Sequence, residues 1–238
     1  MSPSGEKFKP FLLDLSDEEL CAQFAEWGEP AYRVRQVLSW IIGKGAASFA
    51  GMSNLSKGLR IRLSRRFRLG DLELADRVAA ADGTEKFLFR LRDKNLIESA
   101  LIPSSDRCTA CISTQVGCRL GCTFCASTRA GLVRDLGSGE ILTQVLTLDA
   151  VRPLTHLVVM GIGEPLENYD ATLRALRRLV EYRGWAARRI TVSTSGLVPE
   201  IERLAREDLG IRLSVSLHAT RQELRWKIMP ISARYPLG

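Results

Sequence analysis

The sequence predicts an α/β chain in which a parallel sheet or barrel follows a small helical unit and a short β-hairpin bridge. From residue 108 onward, strand-like and helix-like segments alternate. Over residues 13–70, apolar residues recur at helical spacing instead. Between these regions, Asp82-Gly83 separates two strand-like runs. The segments divide as 1–70, 71–103 and 104–238.

Each element has a local cause. Ser16 followed by Glu19 is a capping box; Leu20, Phe24 and Trp27 share one face, and Gly28 closes the helix. Pro30 opens a second helix, which runs through Val34, Val37, Leu38 and Ile41 to Gly43. A short third helix covers residues 47–52. A fourth starts near Ser56, with Leu59, Leu63 and Phe67 as its apolar stripe. In the bridge, residues 77–81 and 86–91 form a hairpin, since Asp82-Gly83 fits a type I′ turn, and residues 96–102 add a third strand that Pro103 ends. Four strands follow, at 109–115, 154–160, 189–195 and 211–217. The crossover helices are 138–150, with Ser138 as cap, 169–182 and 199–208. Ligands of such a sheet gather at the C-terminal ends of its strands.

Charge narrows the class of partner. The net charge is +7, from 34 basic and 27 acidic residues. Residues 1–170 carry 21 of each sign, so residues 171–238, with 13 basic and 6 acidic, hold the whole excess. Lys57, Arg60, Arg62, Arg65, Arg66 and Arg68 form a local cluster with no acid between Gly51 and Gly70. Such a surface suits a polyanion, although a solvated helix face has the same composition. Residues 1–7 lack the apolar core of a signal peptide, and no run reaches the roughly 18 apolar residues of a membrane span. A cytoplasmic chain with no membrane contact is expected.

Of six cysteines, Cys21 stands alone, while Cys108, Cys111, Cys118, Cys122 and Cys125 fall within 18 residues. In a cytosolic chain such crowding argues for metal or redox chemistry rather than disulfides. Cys118-x3-Cys122-x2-Cys125 lies in a loop just after a strand. Three thiolates so spaced can hold three irons of a [4Fe–4S] cluster and leave the fourth open to a small molecule. Gly117 and Gly121 let the loop wrap tightly. A second parsing, Cys108-x2-Cys111 with Cys122-x2-Cys125, gives a four-cysteine zinc site, but it leaves Cys118 unused and takes two ligands from a predicted strand.

Other polar motifs sit at the predicted strand ends. Gly161-Ile162-Gly163-Glu164-Pro165 offers a carboxylate beside glycines, fit for a ligand's ammonium group; the plain alternative is a glycine–proline turn. Ser193-Thr194-Ser195-Gly196 and Ser216-Leu217-His218 end the third and fourth strands, where hydroxyls can meet ribose or carboxylate oxygens or merely finish a strand.

Together these residues resemble the radical S-adenosylmethionine superfamily. The longer string from Cys111 to Thr128, with residues 189–196 and Ser216-Leu217-His218, is similar to the RlmN/Cfr RNA methyltransferases, closest to the RlmN branch. Gly28-Glu-Pro-Ala-Tyr-Arg and Met52-Ser-Asn-Leu look like that branch's accessory domain, and the likeness runs over residues 12–238. It implies a partial TIM-type radical barrel behind an RNA-binding helical domain. The implied cofactors are a [4Fe–4S] cluster and S-adenosylmethionine. The implied reaction is methylation of C2 of adenosine in 23S rRNA and of the tRNA adenosine 3′ of the anticodon, through a methyl-cysteine intermediate. Related members methylate C8. A monomer served by an external one-electron donor such as flavodoxin is expected.

By position, Cys118, Cys122 and Cys125 match the cluster ligands, Cys111 the resolving cysteine and Glu98 the proton acceptor. Gly163, Glu164, Ser193, Ser195, Ser216, Leu217 and His218 match contacts to S-adenosylmethionine, and a disulfide bond is implied as well. Residues 57–68 and 174–189 would hold phosphates. The family's methyl-carrying cysteine, a later asparagine contact and two further strands have no counterpart here, since no cysteine follows Cys125. The expectation is a chain truncated after its fourth strand that cannot complete a methylation cycle alone.

Overall fold

The computed structural model describes residues 9–70 and 72–237. Residues 1–8, Asp71 and Gly238 lie outside the described residues, and with them the reading of residues 1–7 as lacking a signal peptide.

The helical unit begins with α1 (Asp17–Glu26), whose Ser16–Glu19 capping box forms as expected. Next comes α2 (Tyr32–Leu38), which continues into one π-helical turn over Ser39–Gly43. The expected third helix is only a 3₁₀ turn at Phe49–Gly51. Its six residues, with Gly51 among them, are too short to repay helix nucleation. Ser56 then caps α3 (Lys57–Arg66) by accepting from Leu59 N–H at 3.1 Å.

One seven-stranded sheet carries the rest, in the order β1 (Glu73–Ala79), β2 (Glu85–Arg90), β3 (Leu96–Pro103), β4 (Cys108–Cys111), β7 (His156–Val159), β8 (Ile190–Thr194) and β9 (Arg212–Val215). The first four pair antiparallel and the last four parallel. The hairpin segment therefore continues the parallel sheet through β3–β4, with Ala100 opposite Cys111. Its first turn is not type I′. Gly83 N–H bonds Ala80 C=O at 3.0 Å with Gly83 alone at positive φ, a three-residue loop ending in a left-handed glycine.

The strand expected over 109–115 breaks after Cys111. Thr114 and Gln115 both donate to Ile162 C=O, which draws the chain against the 161–163 loop. Then β5 (Gln115–Gly117) pairs with β6 (Leu132–Asp135) in a separate two-stranded sheet. The crossovers are α4 (Ser138–Val151), α5 (Tyr169–Arg183) and α6 (Val198–Ala205), and α7 (Gln222–Ile228) follows β9. At the start of α4 the cap position belongs to Gly137, not Ser138, whose hydroxyl donates to Leu13 C=O at 2.6 Å. Asp14 reaches across from the helical unit to take Gly139 N–H at 2.8 Å.

One continuous core joins the helical unit to α4, α5 and the sheet. The arginines of α5 fasten that joint: Arg174 donates to Asp14 C=O at 2.6 Å, and Arg178, 3% exposed, to the carbonyls of Leu13 and Leu15 and to Asp17. Arg183 holds the carbonyls of Ile42 and Gly43 and pairs with Asp149, while Arg177 pairs with Glu207. The expectation that these side chains hold phosphates is corrected, because carbonyls and carboxylates of the chain already occupy them. Among the described residues no helix is long and apolar enough to cross a membrane.

Candidate functional site

Register sorts the site residues onto one side of the sheet. Cys111 pairs with Ala100 on one side and Val158 on the other, and Val158 with Thr191. Paired residues share a face, and so do residues two apart. Glu98, Cys111, Ser193 and Ser216 therefore fall on one face, while Leu157, Val159, Ile190 and Val192 bury the other in the core.

At the C-terminal ends of the parallel strands lies a cavity of about 310 Å³. It is lined by Cys118, Cys122 and Cys125 on one side and by Gly163, Glu164, Ser193, Ser195, Ser216 and His218 on the other. Nine of the twelve site residues named from the sequence thus meet around one space. Leu217 is next in the chain to two of them but points to solvent. Glu98 and Cys111 do not line the cavity. Cys111 lies under its rim, its thiol against the backbone of Met160, a lining residue, and burial pushes that thiol up. Glu98 pairs with Lys86 at 3.0 Å.

The cysteine loop is shaped by glycine. Gly117 has φ +77°, and a Cβ there would meet Gly131 O at 1.9 Å, so the turn into the loop admits no side chain. The loop then winds as Cys125 N–H bonds Cys122 C=O, and Thr128 Oγ1 bridges Gly121 N–H and Cys118 C=O. Burial pushes the Cys118 and Cys122 thiols up, and the neighbouring cysteines add to it.

Three thiols on one loop, lining one cavity, suit a group whose metals each take one ligand. The zinc parsing fails on strand geometry. Cys108 and Cys111 stand three residues apart on a strand, pointing to opposite faces, with Cys108 at the end away from the cavity. The implied disulfide is corrected too: all six cysteines are free.

Glu164, 2% exposed, is gripped through its carboxylate by Ser195 N–H at 2.8 Å and Leu166 N–H at 3.1 Å. Burial pushes it above the usual carboxylate range, against those hydrogen bonds. A buried carboxylate at a cavity wall is a ready partner for a ligand cation. Ser193 and Ser216 hydroxyls face each other at 3.4 Å across β8 and β9. His218 takes a left-handed backbone, φ +56°, and its ring lies 4.4 Å from that of Phe124 in the cysteine loop. Such a backbone at a cavity wall marks a position held by its surroundings.

Two residues escaped the sequence reading. Arg225 on α7, 3% exposed, donates to Ser195 C=O at 2.7 Å and Leu217 C=O at 3.3 Å, tying the ends of β8 and β9 together beside Cys122. No sequence signal marks it among 13 basic residues in the last 68. Gln115, 0% exposed, sits inside the string that carries the resemblance, yet nothing in its spacing gives it a task.

Known proteins resemble this chain along nearly its whole length. The family model described as the ribosomal RNA large subunit methyltransferase N-terminal domain matches residues 11–69, and that of the radical SAM superfamily matches residues 112–235. A probable dual-specificity RNA methyltransferase RlmN 3 from Opitutus terrae is 48% identical, over 97% of this chain and 67% of its own length. A probable dual-specificity RNA methyltransferase RlmN from Bacillus thuringiensis is 44% identical, over 98% and 66%. The crystal structure of a radical SAM methyltransferase from Sphaerobacter thermophilus superposes with a TM-score of 0.86 at 45% identity, covering 96% of this chain and 70% of that one. The chain spans about two thirds of the length of these curated relatives. With a helical front unit and a cysteine-loop cavity of this pattern, the chain belongs to the RlmN family within the radical SAM superfamily.

Proposed function

We propose that this chain is the cofactor-binding part of a radical S-adenosylmethionine methyltransferase acting on C2 of adenosine, in 23S rRNA and in tRNA next to the anticodon. The observation that carries the reading is the meeting of three loop thiols with a buried carboxylate and strand-end hydroxyls around one cavity. Cys118, Cys122 and Cys125 would hold a [4Fe–4S] cluster, each thiol losing its proton on binding. When bound, cluster and S-adenosylmethionine together supply a one-electron cleavage that yields a hydrogen-abstracting radical, which unreactive aromatic carbon requires.

The chain's own residues bind and orient. Glu164, fixed by two backbone N–H groups, takes the amino group of S-adenosylmethionine; Gly163 leaves room beside it. Ser193, Ser195, Ser216 and His218 form the opposite wall, where hydroxyls meet ribose and carboxylate oxygens, and Leu217 carries the chain from Ser216 to His218. Cys111 and Glu98 share the sheet face below the cavity and serve as resolving thiol and proton acceptor. In this reading the methyl-carrying cysteine belongs to the part of the relatives that this chain does not span. Residues 1–70 serve as the RNA-binding unit, 71–103 as the connecting strands and 104–238 as the radical domain, in a cytoplasmic monomer fed by an external one-electron donor such as flavodoxin.

Two measurements test this. Anaerobic reconstitution is expected to load about four iron and four sulfide per chain, and Cys118→Ala, Cys122→Ala or Cys125→Ala to abolish it; one zinc and no iron would sink the assignment. Deleting the gene in its source is expected to remove 2-methyladenosine from 23S rRNA and tRNA. Unchanged 2-methyladenosine, or loss of 8-methyladenosine instead, overturns the substrate reading.

A further inference from the structure

Gln115 occupies the first position of β5, between the cysteine loop and the Glu164 loop, and its whole side chain is enclosed. Every polar atom of its amide is engaged. Oε1 accepts Glu164 N–H at 2.8 Å. Nε2 donates to Glu167 at 2.9 Å and to Asp135 on β6 at 2.8 Å. The second Glu167 oxygen pairs with Arg119 Nε at 2.7 Å, and Arg119 directly follows Cys118. The chain of contacts thus runs from the cysteine loop, through Arg119, Glu167 and Gln115, to the backbone N–H of Glu164. The fit is tight: Gly163 has φ +106°, and a Cβ there would meet Gln115 Cβ at 2.6 Å.

An amide is the one neutral group that satisfies all three partners. It offers one acceptor to an N–H and two donors to two carboxylates. A glutamate there would set three carboxylates together, and a leucine would leave the buried Glu164 N–H without its acceptor. Gln115 lies outside the cavity lining, so it acts through the groups it holds rather than on a ligand.

We propose that Gln115 is a positioning residue that fixes the Glu164 loop relative to the cysteine loop, and so sets affinity for the amino-acid end of S-adenosylmethionine. This rests on the functional reading above. The Arg119–Glu167 ion pair is the arm through which the setting reaches the cysteines, and Asp135 anchors it to β6.

The test measures ligand affinity on the anaerobically reconstituted full chain, with two probes. S-adenosylmethionine carries the amino acid; 5′-methylthioadenosine keeps the nucleoside and sulfur but lacks it. Gln115→Ala is expected to weaken S-adenosylmethionine about tenfold or more, a change of roughly 1.4 kcal/mol, and to leave methylthioadenosine within about twofold. Arg119→Ala and Glu167→Gln, which break only the arm, are expected to weaken S-adenosylmethionine to a lesser and equal degree, and no further when combined. Equal weakening of both probes by Gln115→Ala, or loss in step with iron content and melting temperature, means a structural role alone and overturns the proposal. So does unchanged S-adenosylmethionine affinity in a folded, iron-loaded variant. Should the unmodified chain take up no iron and bind neither probe, the functional reading fails instead, and the two failures are told apart.

Discussion

Helices α3 and α5 are both rich in arginine, but α5 spends its cations inside the fold and α3 leaves two of its own exposed. On α5, Arg174, Arg178 and Arg183 turn inward onto carbonyls of the helical unit, and Arg177 closes on Glu207. On α3, Arg60 and Arg62 hold the carbonyls of Ala50 and Trp27 and Arg66 holds Gln23, but none of the helix's cations pairs with a carboxylate among the described residues, and Lys57 and Arg65 stand exposed with no hydrogen-bond or ion-pair partner there. The difference comes from what each helix packs against. Arg178 lies on the buried side of α5, one turn after Ala175, facing the end of the 3₁₀ turn at Leu12–Asp14, where the carbonyls of Leu13 and Leu15 need donors. The buried stripe of α3 is Leu59 and Leu63, so Lys57 and Arg65 fall on the solvent side. A basic count therefore predicts a polyanion surface only where the fold leaves the cations unspent.

The largest effect that could break this contrast is at Arg178. Arg178→Ala strips two carbonyls and Asp17 of their donor inside the joint. It is expected to destabilise the chain by about 3 kcal/mol in urea unfolding. Arg65→Ala on α3 is expected to stay within about 0.5 kcal/mol. Similar losses at both positions would mean that the joint does not depend on the α5 clasp.

Asp14 sharpens the same point on a smaller scale. The α5 arginines hold its carbonyl and those of its neighbours, not its carboxylate, and burial pushes that carboxyl above its usual value despite the hydrogen bond from Gly139. A carboxyl raised in the folded state contributes stability that is complete below its unfolded value and is lost as pH rises through the folded one. Asp14→Asn keeps an acceptor for Gly139 N–H and has no charge to bury. Its urea midpoint is expected to gain on the parent's between pH 3.5 and pH 7. A gain in the opposite direction would mean that the arginines neutralise the carboxylate after all.

The same logic decides how much was legible in the sequence. Periodicity, caps and turn residues are local, so α1, α3, β3 and the last three parallel strands come out near their true bounds. The cysteine spacing and the Gly163-Glu164 pair are local too, and the topology brings them together because strand ends of a parallel sheet share one edge. What failed depends on partners distant in sequence. The strand past Cys111 bends because Ile162 C=O draws it away, and Ser138 yields its capping role because Asp14 supplies an acceptor from 125 residues back. Gln115 and Arg225 act only through residues that the fold gathers, so no spacing rule finds them.

The smallest expected effect on stability carries the sharpest test of the contrast. Lys57→Gln with Arg65→Gln removes two exposed charges from α3, and the melting temperature is expected to stay unchanged within error. If that face meets phosphates, each lost contact lowers the slope of log affinity against log salt by roughly 0.7–0.9, so the double variant is expected to lose about 1.5. The readout is a salt titration of binding to a tRNA transcript. Arg177→Gln on α5 is the matched control, because Arg177 is half exposed yet paired with Glu207. Its slope is expected to match the parent's. An equal fall in slope for Arg177→Gln would mean that net charge alone governs the attraction, and the distinction between spent and unspent arginines would not extend to RNA binding. An unchanged slope in the α3 variant would move the RNA surface off this helix, with its exposed cations serving as a solvated face.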